Sequence, residues 1–299
     1  MPVGRELRDR MDSIRETRKI TNAMNMIAST KLQWAQRELN ITRPYFDALR
    51  FELMPLFRAE LCPRETRFFP QPNGALPFGG VPGILAVTAD RGLAGPYNMN
   101  VIRHALRLLE EEPSSRLFVV GDYGRHYFKV HGIPFEEDFQ FSADKPTVDR
   151  ARLMCNRLLG LYEDEALNAI HLIYTNMRNR LSTDATAVLL LPLPRGDREP
   201  GEAPPEEFEF EPNFISVLSQ SLRGYVIGYL YSALVNSYCS EQNNRVQAME
   251  AATHSADQLL DELGRRLRRE RQAAVTREIN EVSAGALAQR QERERREQA

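Results

Sequence analysis

The two ends of this 299-residue chain constrain its fold more than anything between them. Arg5 to Leu39 contains neither Gly nor Pro, and no Pro follows Pro212. In the first stretch apolar or small residues recur at Leu7, Met11 and Ile14, then Ile20, Met24 and Ile27, then Leu32, Ala35 and Leu39. Steps of three and four are helical, and two sideways shifts wind the packed face around the helix. Residues 3 to about 60 therefore read as one long helix, with Pro44 as a candidate kink. In the second stretch Val246, Met249, Thr253, Ala256, Leu260, Leu263 and Leu267 alternate steps of three and four, which is a heptad seam. A further stripe runs through Val275, Ile279, Val282 and Ala286. Residues 213–288 read as a second helix, weakened locally by Gly224, Gly228 and Gly264. At the α-helical rise the two would span about 75 Å and about 114 Å, each longer than a small domain.

Between them the period changes. Residues 61–83 are rich in Pro and Gly and read as a linker. From 84 to 200, apolar runs at Ile84–Thr88, Arg116–Gly121, Ala169–Tyr174 and Ala185–Leu193 alternate with helical stretches at Asn98–Glu112 and Val148–Glu165. That alternation predicts a mostly parallel sheet of four to six strands covered on both faces. Gly196 to Pro212 is an acidic, Pro-rich loop ending in Phe208-Glu209-Phe210-Glu211-Pro212. Both long helices leave the same inserted domain, so they run antiparallel if it sits at one end. The expected fold is an α+β composite: a long antiparallel coiled coil of N- and C-terminal helices with an inserted Rossmann-like α/β domain. Its parts are a coiled-coil helix over 1–60, the linker over 61–83, an α/β foot over 84–212, a coiled-coil helix over 213–288 and a charged tail over 289–299.

Composition excludes several classes. Hydrophobic residues at 42% and charged residues at 27% suit a chain that buries a core. The stretch Gly224–Ser240 is uncharged but short and carries Tyr, Ser and Asn, so no transmembrane helix is expected. The N-terminus lacks the apolar segment of a secretory signal. Cys62, Cys155 and Cys239 form no Cys-x-x-Cys and read as reduced buried thiols. Residues 1–50 carry 10 Lys/Arg against 6 Asp/Glu, while 51–240 carry 18 against 24, so the chain offers a basic and an acidic surface to different partners.

Catalytic patterns fail on spacing. None of Lys19, Lys31, Lys129 and Lys145 follows a glycine, so a P-loop is absent. No two glycines stand two apart, which removes the dinucleotide fingerprint. His104, His126, His131, His171 and His254 form no metal pattern and read as structural or surface residues. No Gly-x-Ser-x-Gly elbow occurs. No catalytic, cofactor-binding or metal-binding residue is expected.

Three segments resemble the gamma subunit of F-type ATP synthases, the central rotor stalk. Ile14-Arg15-Glu16-Thr17-Arg18-Lys19-Ile20-Thr21-Asn22-Ala23-Met24-Asn25-Met26-Ile27-Ala28-Ser29-Thr30-Lys31 is similar to the family's Thr-x-Lys-Ile-Thr-x-Ala-Met-x-Met-Val-Ala-x-x-Lys. Thr88-Ala89-Asp90-Arg91-Gly92-Leu93-Ala94-Gly95-Pro96-Tyr97-Asn98 resembles Asp-Arg-Gly-Leu-Cys-Gly-x-x-Asn. Arg271-Gln272-Ala273-Ala274-Val275-Thr276-Arg277-Glu278-Ile279-Asn280-Glu281-Val282-Ser283-Ala284-Gly285-Ala286 resembles Arg-Gln-x-x-Ile-Thr-x-Glu-Leu-x-Glu-Ile-Val-x-Gly-Ala. The segment around Ser240, Glu241, Arg245 and Met249 also matches. Ala94 replaces a usual cysteine, Asn25 a common glutamate, and the tail from Gln289 extends past the family's usual end.

The resemblance implies a rotating shaft, without catalysis of its own, that couples ion flow through a membrane ring to ATP synthesis or hydrolysis on the β subunits. It implies β-subunit contacts at Met24, Arg245, Arg271, Gln272 and Thr276, and membrane-ring contacts at Phe208, Phe210 and Glu211. The implied partners are the α and β subunits, the epsilon subunit and the c-ring, with no nucleic acid and no bilayer insertion. The implied location is peripheral, on the cytoplasmic face of the bacterial inner membrane. No cofactor is implied. Without the resemblance, Arg265, Arg266, Arg268, Arg269 and Arg271 read as a solvated helix face. Alternative readings are a coiled-coil scaffold with an α/β domain, a nucleotide-dependent α/β enzyme, a nucleic-acid binder using the Arg-rich helix, and the gamma subunit of a sodium-translocating variant.

Overall fold

The structure, a computed structural model, describes residues 2–58, 68–70, 76, 77, 79–177, 179, 182–193, 211 and 214–297. The chain forms α1 (Pro2–Arg58), β1 (Val81–Val87), α2 (Tyr97–Glu111), β2 (Arg116–Val120), α3 (Asp122–Val130), α4 (Val148–Glu163), β3 (Leu167–Met177), β4 (Thr183–Leu191) and α5 (Phe214–Glu297). Helix α1 runs through Pro44, and α5 continues into the charged tail. The two compact units are Met1–Met26 with Met249–Ala299, and Ile27–Ala248.

In the Ile27–Ala248 unit the sheet order is β2-β1-β3-β4. Strand β1 runs parallel to β2 and β3, while β4 closes an antiparallel hairpin on β3. The sheet is thus mostly parallel, as the alternation of elements predicts, with one antiparallel edge. Side chains alternate faces along a strand, and this sheet buries both. Leu85, Val87, Phe118, Val120, Ile170 and Leu172 share one core with α4 and the first turns of α5, through Met154, Leu158, Leu222 and Leu230 among others. Ile84, Ala86, Leu117, Val119 and Ile173 share the other with Val101, Ile102 and Ala105 of α2 and Phe128 of α3. Burial on both sides explains why these strands read as unbroken apolar runs.

Local chemistry sets the element ends. The Thr147 side chain accepts a hydrogen bond from Arg150 N at 3.3 Å and starts α4. Pro82, the second residue of β1, directly follows a register shift between Val81 and Pro82, an irregular strand start of the kind where proline is tolerated. Gly121 links β2 to α3 at φ +91°, and a Cβ there would lie 2.4 Å from the Thr88 carbonyl oxygen and 2.6 Å from that of Ala89. Only glycine fits this turn.

Helices α1 and α5 pack together in the same unit. Ala35, Leu39, Val235, Tyr238 and Cys239 form a shared core, with Trp34 set edge-on to Tyr238 at 5.8 Å. Among the described residues no helix is long and apolar enough to cross a membrane.

Candidate functional site

Two surfaces stand out, one in each unit. In the Ile27–Ala248 unit, helix α5 carries six consecutive buried polar residues, Ser240 to Arg245. Burying polar groups costs free energy unless each finds a partner. Ser240 and Asn244, with neighbouring Ser237, find theirs where β3 ends and β4 begins. Ser237 Oγ accepts from Thr175 N at 3.2 Å, and Ser240 Oγ donates to Thr175 O at 3.2 Å. Asn244 Nδ2 donates to Thr183 Oγ1 at 2.9 Å and to Ser240 O at 2.8 Å.

Arg245 completes the row. Its Nη1 donates to Glu241 Oε1 at 2.6 Å, one helical turn back. Its Nη2 donates to the carbonyls of Arg91 and Gly92 at 3.3 and 3.2 Å. These carbonyls precede Leu93, which is exposed and holds φ at +62°. A non-glycine residue there is strained, and the arginine fixes the turn that strains it. Burial pushes the Glu241 carboxyl upward, and the Arg245 guanidinium pulls it back only in part. Tyr97 is raised as well, first by burial and then by the Glu241 charge; its hydroxyl donates to Val87 O at 3.2 Å.

A second polar knot adjoins β1. The Asp90 carboxylate accepts from Ser142 Oγ at 2.6 Å, Ala143 N at 3.0 Å, Asp144 N at 3.1 Å and Asp122 N at 3.3 Å. Arg150 holds the same loop from the other side, donating to Asp144 O at 2.6 Å and Ser142 O at 3.0 Å.

The other unit is a helix pair. Thr21 and Thr253 hydroxyls lie 2.9 Å apart, and Arg18 pairs with Asp257 at 2.8 Å. As one number falls the other rises, so the helices are antiparallel, as expected for two helices that leave one inserted domain. Seam residues Met249, Ala256 and Leu263 are buried, and Thr253, Leu260 and Leu267 half-buried. The same register sets the start of α1 near Gln272. Beyond it Val275, Ile279, Val282 and Leu287 are 47, 58, 68 and 61% exposed. The expected second stripe is therefore a bare apolar face.

The residues singled out by resemblance divide between these surfaces. Met24 is half-buried; Arg271, Gln272 and Thr276 are exposed within about one and a half turns, with Thr276 Oγ1 donating to Gln272 O at 3.0 Å. Arg265, Arg266, Arg268 and Arg269 are exposed too. Arg245 lies in the other unit with its guanidinium committed inside the chain. Glu211 is exposed, and Phe208 and Phe210 lie outside the described residues. Asp90, Asp144 and Glu241 received no role from the sequence. A Glu four residues before an Arg on a helix was the available signal for the last.

The described thiols are closed to chemistry. Cys155 and Cys239 are buried, and burial raises them to about 12 and about 11. Among the described residues no group of three or more His, Cys, Asp or Glu could hold a metal ion.

The fold defines a class: two long antiparallel terminal helices with an α/β domain inserted between them in the chain. A family model described as ATP synthase matches residues 4–288. The ATP synthase gamma chain of Staphylococcus carnosus is 33% identical over 288 residues, covering 95% of this chain and 98% of that protein. That of Halothermothrix orenii is 33% identical over 295 residues, covering 96% and 99%. A chain from the rotor of Euglena gracilis mitochondrial ATP synthase superposes with a TM-score of 0.67 at 13% identity, covering 92% of this chain and 99% of its own. One from the Tetrahymena thermophila central stalk and c-ring gives 0.56 at 21%, covering 78% and 99%. At such identities the superpositions speak for the fold. The chain belongs to the ATP synthase gamma-chain family.

Proposed function

We propose that this chain is the rotating central shaft of a bacterial F-type ATP synthase. The apolar face from Val275 to Leu287 carries the reading, since the antiparallel pair leaves it bare. A collar formed by three α and three β subunits is its fitting occupant. Ion flow through the membrane c-ring turns the α/β foot, with the epsilon subunit beside it. The helix pair presents a different face to each β subunit at each angle. Differential contact with three sites then sets three nucleotide affinities, which is coupling in the thermodynamic sense. Catalysis stays on the β subunits.

Met24, Arg271, Gln272 and Thr276 are the proposed β-subunit contacts. Exposed Arg271 is free to form a bidentate, charge-assisted pair with a carboxylate. Arg245, in the Ile27–Ala248 unit, is a further proposed β-subunit contact, and it holds the Arg91–Gly92 turn of that unit in place. Phe208, Phe210 and Glu211 are the proposed ring contacts. The complex lies peripherally on the cytoplasmic face of the inner membrane and transports protons or sodium ions.

Co-expression with α and β subunits tests this reading. The expected product is one assembly with ATPase activity, while the isolated chain neither binds nor hydrolyses ATP. Micromolar ATP binding by the isolated chain would count against it.

A further inference from the structure

The Ser142–Asp144 loop is held on two sides by charged groups of its own domain. Asp90 takes two of its backbone N–H groups and the Ser142 hydroxyl, and Arg150 takes two of its carbonyls. Lys145, which follows, holds φ at +44°, a strained setting kept only where the surroundings dictate it. A loop so fixed has little freedom left, so its outward side chain is a rigid fixture of the sheet domain.

That side chain is Asp144. Its Oδ1 accepts from Lys31 Nζ of α1 at 2.8 Å and from Tyr238 Oη of α5 at 3.1 Å. Tyr238 is itself braced edge-on by Trp34 of α1. One carboxylate oxygen is therefore the meeting point of both long helices and the α/β domain. Partial burial would raise this carboxyl, but the hydrogen bond and charge of Lys31, the Tyr238 hydroxyl and the Lys145 charge together hold it below the usual range. The charged form is the one the site is built for.

The pair is 36 and 46% exposed at its side chains, and exposed ion pairs contribute little to stability. Strength of folding is thus a poor explanation for so much scaffolding around one oxygen. Helix α5 is already fastened to the sheet by apolar burial. Helix α1 packs on α5 through a core centred on Ala35 and Leu39, and farther along through the Thr21–Thr253 and Arg18–Asp257 bonds; these contacts join helix to helix and none of them ties α1 to the sheet domain. The directional bond from Lys31 to a fixed loop supplies that tie, holding α1 to the α/β domain itself.

We propose that Asp144 is a positioning residue for torque transfer, locking α1 and α5 in register on the α/β domain through Lys31 and Tyr238. The proposal rests on the rotor reading above. Removing the lock lets part of each stroke dissipate as slip of α1 against the α/β domain.

The test uses the whole ATP synthase in inverted membrane vesicles, reading ions pumped per ATP hydrolysed alongside the amount of complex assembled. Asp144→Ala and Lys31→Met are each expected to lower that ratio by about two- to five-fold, with hydrolysis and assembly near wild type. The exchange Lys31→Asp with Asp144→Lys is expected to recover most of the loss. If Asp144→Ala lowers assembly, Lys31→Met decides the matter, because it leaves the loop and its Asp90 and Arg150 bonds intact. A wild-type ratio in Lys31→Met, or an exchange variant no better than the single ones, overturns the lock and leaves the rotor standing. Wild-type vesicles that hydrolyse ATP through this complex without pumping any ion would instead overturn the rotor reading itself.

Discussion

Replacing Arg245 by Ala is expected to destabilise the Ile27–Ala248 unit by about 3–5 kcal/mol, because it strips a buried carboxylate of its counter-charge. Glu241 and Arg245 are 5 and 9% exposed, so water cannot take over. Two carbonyls, of Arg91 and Gly92, lose their donor at the same time. The sign with pH follows. Burial already raises Glu241 above its unfolded value, and loss of the arginine raises it further. A carboxyl with a raised folded value contributes no penalty while both states are protonated. It destabilises increasingly as pH climbs from the unfolded value towards the folded one. The deficit of Arg245→Ala is therefore expected to shrink as pH falls towards the ordinary carboxyl value of 4.5. Urea titration followed by the fluorescence of Trp34, the single tryptophan, measures it in this unit. The double variant Glu241→Gln with Arg245→Gln should cost less than Arg245→Ala, since no charge is left stranded. A deficit independent of pH would contradict the assignment.

Charges on the bare stripe are expected to do the opposite, sparing the chain and breaking the assembly. Ile279 and Val282 are 58 and 68% exposed in the isolated chain. Surface substitutions of that kind usually move stability by no more than about 0.5 kcal/mol. Under the proposed rotor reading this stripe faces the collar, where an unpaired carboxylate costs several kcal/mol. Ile279→Asp with Val282→Asp should thus leave the thermal melt of the isolated chain unchanged. It should weaken binding to the α and β subunits by more than about ten-fold, the equivalent of about 1.4 kcal/mol. Unchanged binding would mean that this face stays in water and that the collar grips elsewhere.

The two predictions separate what the sequence showed from what it concealed. Periodicity is a local property, so the long helices, the seam at Met249, Ala256 and Leu263, and the stripe at Val275, Ile279 and Val282 were all readable. The strands were readable because burial on both faces makes continuous apolar runs. Helix α3 was not, for it has nine residues and carries Gly124 inside it. That glycine is there because a Cβ would come within 2.5 Å of Thr88 Oγ1, a tertiary reason that no local pattern displays. The β3–β4 hairpin was hidden likewise: two apolar runs look alike whether a crossover or a turn joins them.

The polar junction was the least legible part. Arg245 stands in a segment matching the family and reads there as a partner contact, yet its guanidinium faces Glu241 and two carbonyls of its own chain. Asp90 and Asp144 look like ordinary loop acids. Their carboxylates' partners are 32 to 113 residues away in sequence, and only the folded chain brings them together.

Rotation itself is the most direct check. The complex is fixed to a surface through its β subunits, and a fluorescent probe is attached to the α/β domain of this chain. On addition of ATP the probe is expected to turn in one direction, in three steps per revolution, one for each β subunit. A probe that stays still while the same molecules hydrolyse ATP at full rate would contradict the account.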